Sequence, residues 1–294
     1  MIKTLFHQIG AYKKDSILTP IYAAAEVIME ILIPFVTAAI IDEGIQAGNM
    51  QKVLQYGVIM IVLALLSLFF GIQAGRKAAS ASTGFACNLR ESMYRNIQTF
   101  SFSNIDKFST AGLVTRMTTD VTNMQNAYQM ILRIAVRAPM TLICSMVMCF
   151  IINVKLSLIF LVALCVLAAA LIYIMMHAMP VFQEVFSKYD DLNASVQENV
   201  TAIRVVKAFV REDFENQKFG KAAEVLCKLF VKAESIIVFN APIMMTVIFA
   251  SMLGLSWIGA QLIVAGDLTT GNLMSLFSYV LSIMMSLTVS YTHL

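Results

Sequence analysis

Long apolar runs dominate this sequence and limit what it can fold into. A sixth such run begins near Leu273 and is still apolar at Val289. Hydrophobic residues make up 59% of the chain and charged residues 13%, whereas a soluble domain has about 25% charged residues. We therefore predict an all-α, polytopic membrane protein with six long helices. Five runs reach the roughly 20 apolar residues that a span needs: Ser16–Ile41, Val53–Gly75, Met130–Ile152, Leu156–Pro180 and Ile236–Gly266.

The positions of lysine and arginine predict the orientation of these spans. If the first span runs outward, the loops after spans one, three and five are external and hold only Lys52 and Lys155. The other 19 of the 21 basic residues lie in the N-terminus, in 76–137 and in 181–235. Cytoplasmic loops are enriched in basic residues, so we expect the N-terminus in the cytoplasm. Topology thus explains the positive charge, and nucleic-acid binding is not indicated.

Residues 1–15 precede the first span as a separate element. The pattern predicts an amphipathic helix in the membrane interface. No small-residue cleavage site follows a short apolar core, so a cleaved signal peptide is not expected. The apolar residues at helical spacing are Ile2, Leu5, Phe6 and Ile9.

Two polar segments between the spans, 76–129 and 181–235, are unusually long. Each has about 55 residues, is rich in helix formers and contains no proline. We expect the membrane helices to continue into the cytoplasm, because about 25 helical residues reach nearly 40 Å at ~1.5 Å per residue. Small residues at every fourth position allow helices to approach closely. They form two stripes in the first segment: Gly71, Gly75, Ala79, Thr83 and Ala74, Ala78, Ser82, Ala86.

The tips of these hairpins are predicted where the helical pattern breaks. The first tip is Phe100–Phe108, and Ser109 or Thr110 is a suitable N-cap for the next helix. The second tip is expected near Phe209–Phe214. Periodicity alone favours solvated turns with local ion pairs and does not identify what the tips contact. Three residues of the helix after the first tip are four apart and share a face: Gly112, Arg116 and Asp120.

Two motifs in these segments resemble the intracellular loops of type I ATP-binding cassette (ABC) exporters. The first is G-L-x-x-R-x-x-x-D-V at Gly112–Val121. The second, more specific motif is E-N-V-x-x-I-R-V-V-K-A-F-x-x-E-D at Glu198–Asp213, which includes Arg204 and Lys207. Gly266–Leu273 also resembles the family's link into its sixth span. Over residues 1–289 the chain is similar to the membrane domain of a bacterial multidrug-type half-transporter.

The resemblance implies an architecture for the chain. Residues 1–15 would be the elbow helix, and 16–294 a transmembrane type-1 domain that stops inside its sixth span. Two short coupling helices, near Phe102–Thr110 and Phe209–Phe214, would dock on nucleotide-binding domains. The implied coupling residues are Phe102, Asn104, Asp106 and Lys107 at the first tip, and Phe209, Arg211, Glu212, Asp213 and Phe214 at the second.

The ATPase domain that such a half-transporter needs is not found in this sequence. No G-x-x-x-x-G-K-[ST] phosphate loop is present, and Tyr291–Leu294 matches nothing expected in the sixth span. We therefore expect a fragment without a nucleotide-binding domain. Five scattered cysteines form no C-x-x-C pair, so no catalytic, cofactor or metal site is assigned. ATP and Mg²⁺ are expected in the missing domain, with which the full-length protein would hydrolyse ATP.

Partners and location also follow from the resemblance. Two halves, as a homodimer or heterodimer, would enclose a cavity for an amphiphilic substrate in the bacterial plasma (inner) membrane. Export of a lipid or a peptide on the same scaffold is the alternative. An unrelated channel or embedded enzyme has less support, because the spans contain no clustered ligands for hydrolytic or metal chemistry.

Ionisable residues inside spans are candidates for a functional site. Glu26 and Glu30 lie four residues apart in the first span and face the same way. Because lipid does not tolerate such charges, they should face protein, water or the cavity. There they would suit a cationic amphiphile; the alternative is a structural role against neighbouring helices. Arg133 and Arg137, which begin the third span, are favoured as interface anchors, and the alternative is a role as substrate ligands.

Overall fold

The computed structural model describes residues 2–102 and 108–292, with side chains described within 4–102 and 108–286. The helices are α1 Ile2–His7, α2 Lys13–Ala39, α3 Met50–Gln98, α4 Thr110–Thr115, α5 Val121–Ile152, α6 Val154–Thr201, α7 Ile203–Ala208, α8 Glu212–Ile237, α9 Asn240–Ala265 and α10 Thr270–Thr292. A 3₁₀ turn at Gly10–Tyr12 precedes α2, and π-helical turns at Ile40–Gln46 and Arg116–Asp120 follow α2 and α4.

The predicted all-α, polytopic architecture is confirmed. Helix α10 supplies the sixth apolar run. Within the described ranges, five continuous helical segments are long and apolar enough to cross a bilayer: Gly10–Gln46, Met50–Gln98, Thr110–Ile152, Val154–Thr201 and Glu212–Ala265.

The membrane helices continue beyond the spans, as their composition predicted. Helix α3 is unbroken over 49 residues and α6 over 48, although α6 contains Pro180. At ~1.5 Å per residue each is about 70 Å long, roughly twice the hydrocarbon thickness of a bilayer. Each helix therefore carries a long segment outside the membrane.

The chain divides into two compact units. Residues 158–253 form one, whose core joins α6 to α8 through Val181, Val185, Leu226 and Ala233.

Residues 1–157 and 254–294 form the other unit, in which α2, α3, α5 and α10 pack together. One of the two predicted small-residue stripes lies in this core. All four of its members have no exposed surface: Ala74, Ala78, Ser82 and Ala86.

Hydrogen bonds from α10 fix its position against α2 and α5. The buried hydroxyl of Tyr279 donates to the carbonyl of Ile31 at 2.9 Å, and Ser275 donates to the carbonyl of Pro34 at 2.5 Å. At the other end, the amide of Gly271 donates to the carboxylate of Asp42 at 2.8 Å.

Candidate functional site

One arginine joins the two glutamates of the first span. On α5, Arg137 Nη1 donates to Glu26 Oε1 at 2.6 Å. Its Nη2 lies 2.9 Å from both Glu30 oxygens. We call these three residues the Glu26–Glu30–Arg137 cluster. Charge-assisted bonds of this kind are short and strong, so the cluster fastens α2 to α5.

The two carboxylates of the cluster differ in exposure. Glu26 is 8% exposed, and its Oε2 has no hydrogen-bond partner among the described residues. The side chain of Glu30 is 46% exposed. Gly71 of α3 makes room for Glu26, because a Cβ there would lie 3.0 Å from Glu26 Oε1 and 3.1 Å from its Cδ. Glu26 is thus the inner anchor of Arg137, and Glu30 the outer one.

The cluster alters what the sequence indicated about these positions. Glu26 and Glu30 do face the same way, and their pairing matches the structural alternative; a cavity role remains a prediction. Arg137 binds two carboxylates of another span through its guanidinium, a contact the sequence did not predict, and its role as an interface anchor stays a prediction. The available signal was charge balance: two acids in one span require a base nearby.

A groove of about 250 Å³ lies beside the cluster, between α5 and α10. We call it the α5–α10 groove. Its lining combines charge, hydroxyl groups and apolar surface. The polar lining residues are Glu30, Arg137, Thr141, Ser282 and Ser286, and the apolar ones are Ile134, Ala138 and Met285.

The second hairpin tip contains a strained turn. After α7, the amide of Val210 donates to the carbonyl of Lys207 at 3.3 Å, and that of Arg211 to the carbonyl of Val206 at 3.0 Å. This is the Schellman pattern of a helix C-terminus, in which glycine is usual at the left-handed position. Here a β-branched residue takes that position, with Val210 at φ 48°. Left-handed backbone costs an ordinary residue about 1–2 kcal/mol.

Two other turns of the chain have the same hydrogen bonds but carry glycine. At Gly266 (φ 83°), the amides of Gly266 and Asp267 donate to Ile263 and Leu262 at 3.0 and 2.9 Å. Gly48 (φ 63°) repeats the pattern. Glycine avoids the left-handed strain in these two turns, whereas residue 210 keeps a side chain. We infer that the Val210 side chain makes a contact that glycine could not make.

Apolar side chains project from this tip. Phe209 is 73% exposed, Val210 81% and Phe214 57%. The Arg211 guanidinium lies 5.8 Å from the centre of the Phe214 ring, within the range of a cation–π contact. Contiguous exposed apolar surface on a polar segment is typical of a binding site. We call residues 209–214 the second tip.

The helical content of the second tip differs from the prediction. The short helix is α7, Ile203–Ala208, which ends directly before the assigned range. Residues 209–211 form the turn, and Glu212, Asp213 and Phe214 begin α8. A hydrogen bond from Lys207 at 2.9 Å lowers the pKa of the Glu212 carboxyl and links the two sides of the turn.

Residues of the second motif hold the base of this tip together. Asn199 on α6 donates to Glu215 of α8 at 3.1 Å, and Glu198 lies 3.8 Å from Lys218. Arg204 is exposed on α7. The motif therefore supplies contacts between the helices of the hairpin as well as side chains on its surface.

The first tip is described only in part. Phe102 is 89% exposed, and Asn104, Asp106 and Lys107 lie outside the described residues. The predicted cap is confirmed: Ser109 Oγ accepts from the amide of Gly112 at 3.0 Å.

The helix after the first tip departs from prediction. The spacing predicts one continuous α-helix, but Arg116–Asp120 is a π-helical turn. Residues four apart stay close to one face in a π-helical turn as well, so the shared face of Gly112, Arg116 and Asp120 stays a prediction. The Arg116 guanidinium lies 5.6 Å from the centre of the Phe108 ring.

Comparisons with known proteins agree with this architecture. Residues 17–287 match the family described as the ABC transporter transmembrane region. The chain is 32% identical to the uncharacterized ABC transporter ATP-binding protein YfiB of Bacillus subtilis, over 86% of the chain and 44% of that protein. It is 25% identical to the putative export ATP-binding/permease protein RT0691 of Rickettsia typhi, over 91% of the chain and 46% of that protein.

The helices and tips define a multi-pass membrane protein with long helical extensions outside the bilayer. The chain belongs to the ABC transporter transmembrane family, in agreement with the resemblance to type I exporter membrane domains. It spans about half the length of the curated relatives it matches.

Proposed function

We propose that this chain is the transmembrane half of an ATP-driven exporter of drugs or other amphiphilic small molecules. The family match and the export-related name of one relative support this assignment. Two halves would enclose a cavity that opens alternately to each side of the bacterial plasma membrane. The Lys and Arg distribution favours a cytoplasmic N-terminus.

The observation that carries the proposal is the exposed apolar surface of the second tip. An apolar centre of Phe209, Val210 and Phe214 is flanked by Arg211 and Asp213. Interfaces gain affinity from buried aromatic anchors and register from a charged rim. The partner is an ATPase domain, because relatives about twice as long as this chain are named ATP-binding proteins. ATP and Mg²⁺ would be held by that domain; this sequence has no phosphate loop.

Substitution of the two aromatic anchors tests this role. Phe209→Ala/Phe214→Ala should remove about 2–4 kcal/mol of docking free energy if both are hot spots. We expect substrate-stimulated ATP hydrolysis and efflux to be lost in the intact transporter while basal hydrolysis remains. Phe219→Ala on α8, also partly exposed at 44%, is the matched control. Normal stimulated hydrolysis and efflux in the double variant would exclude the tip as the coupling element.

A further inference from the structure

We propose that the α5–α10 groove binds a protonated amine of an amphiphilic cargo through its N–H groups, with Glu30 as counter-ion. That the amine is cargo rests on the proposed function. The binding itself requires no transport. Because recognition is through N–H groups, the groove selects for a hydrogen-bond donor and not for positive charge alone.

The hydroxyl groups of the groove are committed as donors. Thr141 donates to the carbonyl of Arg137 at 2.9 Å, Ser282 to that of Ser278 at 3.0 Å, and Ser286 to that of Ala138 at 2.6 Å. A hydroxyl group has one hydrogen and two lone pairs. With each hydrogen bound to a helix carbonyl, the three oxygens face a ligand as acceptors.

The charged lining of the groove adds to this preference. Among the described lining residues, Arg137 is the one basic side chain, and its guanidinium is shared by two carboxylates. The cluster therefore has one more acidic group than basic groups. Excess negative charge attracts an ion of opposite sign. An acceptor-lined groove with excess negative charge fits an ammonium group.

The different burial of the two glutamates allows an ammonium group to replace Arg137 as the partner of Glu30. Glu26 holds Arg137 at 2.6 Å from the buried side, while Glu30 is half exposed at the groove. An ammonium group can therefore compete for Glu30 while the link between Glu26 and Arg137 persists. Met285 is 68% exposed at the groove and offers a flexible apolar contact for an alkyl chain.

A pair of probes with equal charge separates the two kinds of recognition. A dansyl-labelled primary alkylammonium has three N–H donors, and its N-trimethyl analogue has none. Both are titrated against the intact transporter in lipid nanodiscs without ATP. We expect the primary amine to bind about tenfold more tightly, which corresponds to one charge-assisted hydrogen bond.

Variants assign that preference to the groove. Glu30→Gln should weaken binding of the primary amine about tenfold or more, and Ser282→Ala/Ser286→Ala should reduce the affinity ratio of the two probes. Two matched controls should change neither value. Ser278→Ala removes a hydroxyl from the same helix outside the lining, and Glu43→Gln removes a carboxylate paired with Lys52.

Equal affinity for the two probes would overturn the proposal, as would undiminished amine binding in a folded Glu30→Gln protein. The serine variants keep it falsifiable if Glu30→Gln does not fold. Because ATP is absent, failure here leaves the coupling experiment on Phe209 and Phe214 unaffected. A failed coupling experiment likewise leaves the affinity ratio unchanged.

Discussion

The Glu26–Glu30–Arg137 cluster and the second tip depart from their surroundings in opposite ways. In the cluster, charged groups lie within membrane helices and are paired inside the chain at 2.6–2.9 Å. At the tip, apolar groups extend from a polar segment, and Phe209 and Val210 are 73% and 81% exposed. Both placements cost free energy, but only in the cluster do contacts within the described residues offset that cost. This difference supports the proposal that the tip binds a partner, whereas the cluster makes its contacts within the fold.

Loss of Arg137 should have the largest effect on stability. Arg137→Met leaves two carboxylates without their base, and breaking a buried pair costs about 3–5 kcal/mol. We expect the lower end, about 3 kcal/mol, because the arginine side chain is 35% exposed. Denaturant unfolding in mixed micelles measures the change, with Arg133→Met as the control.

The rescue of that variant sharpens the comparison. Adding Glu26→Gln to Arg137→Met removes the most deeply buried charge and should recover part of the lost stability. No recovery, or equal effects of Arg133→Met and Arg137→Met, would show that the cluster is not an internal stabilising pair.

A methyl group at Gly71 should have an intermediate effect. Its Cβ would lie 3.0 Å from Glu26 Oε1, so Gly71→Ala forces the carboxylate to move and should cost about 1–3 kcal/mol. Gly75→Ala, one turn later, is the matched control because, among the described residues, no atom outside its own stretch of helix lies within 4 Å of the added Cβ. Similar unfolding free energies for the two variants would contradict the close fit of Glu26 against α3.

The smallest effect is expected at Val210, and its sign is the informative part. Val210→Gly relieves left-handed strain and should stabilise the unit formed by residues 158–253 by about 1 kcal/mol. It should nevertheless weaken coupling, because it removes an exposed apolar group. The reverse exchange, Gly266→Val, should destabilise by about 1–2 kcal/mol. Thermal unfolding of both variants, with stimulated ATPase activity for the first, tests this. A destabilised Val210→Gly would contradict the strain argument.

Local pattern allowed much of this fold to be predicted. The spans, the unbroken α3 and α6 and the cap at Ser109 depend on neighbouring residues, so periodicity and residue type sufficed. The partner of Glu26 is 111 residues away, and no spacing rule identifies such a contact. The left-handed Val210 was missed because its residue type argues against that conformation. The π-helical turn at Arg116–Asp120 likewise has no simple signature.

The central claim is that the second tip is covered by an ATPase domain. Val210→Cys in a background free of the native cysteines places a thiol at the most exposed apolar position of the tip, at 81%. Labelling with a membrane-impermeant maleimide is compared in inside-out vesicles with and without that domain. Lys221→Cys, exposed on α8 beyond the tip, is the control. We predict rapid labelling of both thiols without the domain and protection of position 210 alone when it is present. Equal labelling of position 210 in both preparations would contradict the account.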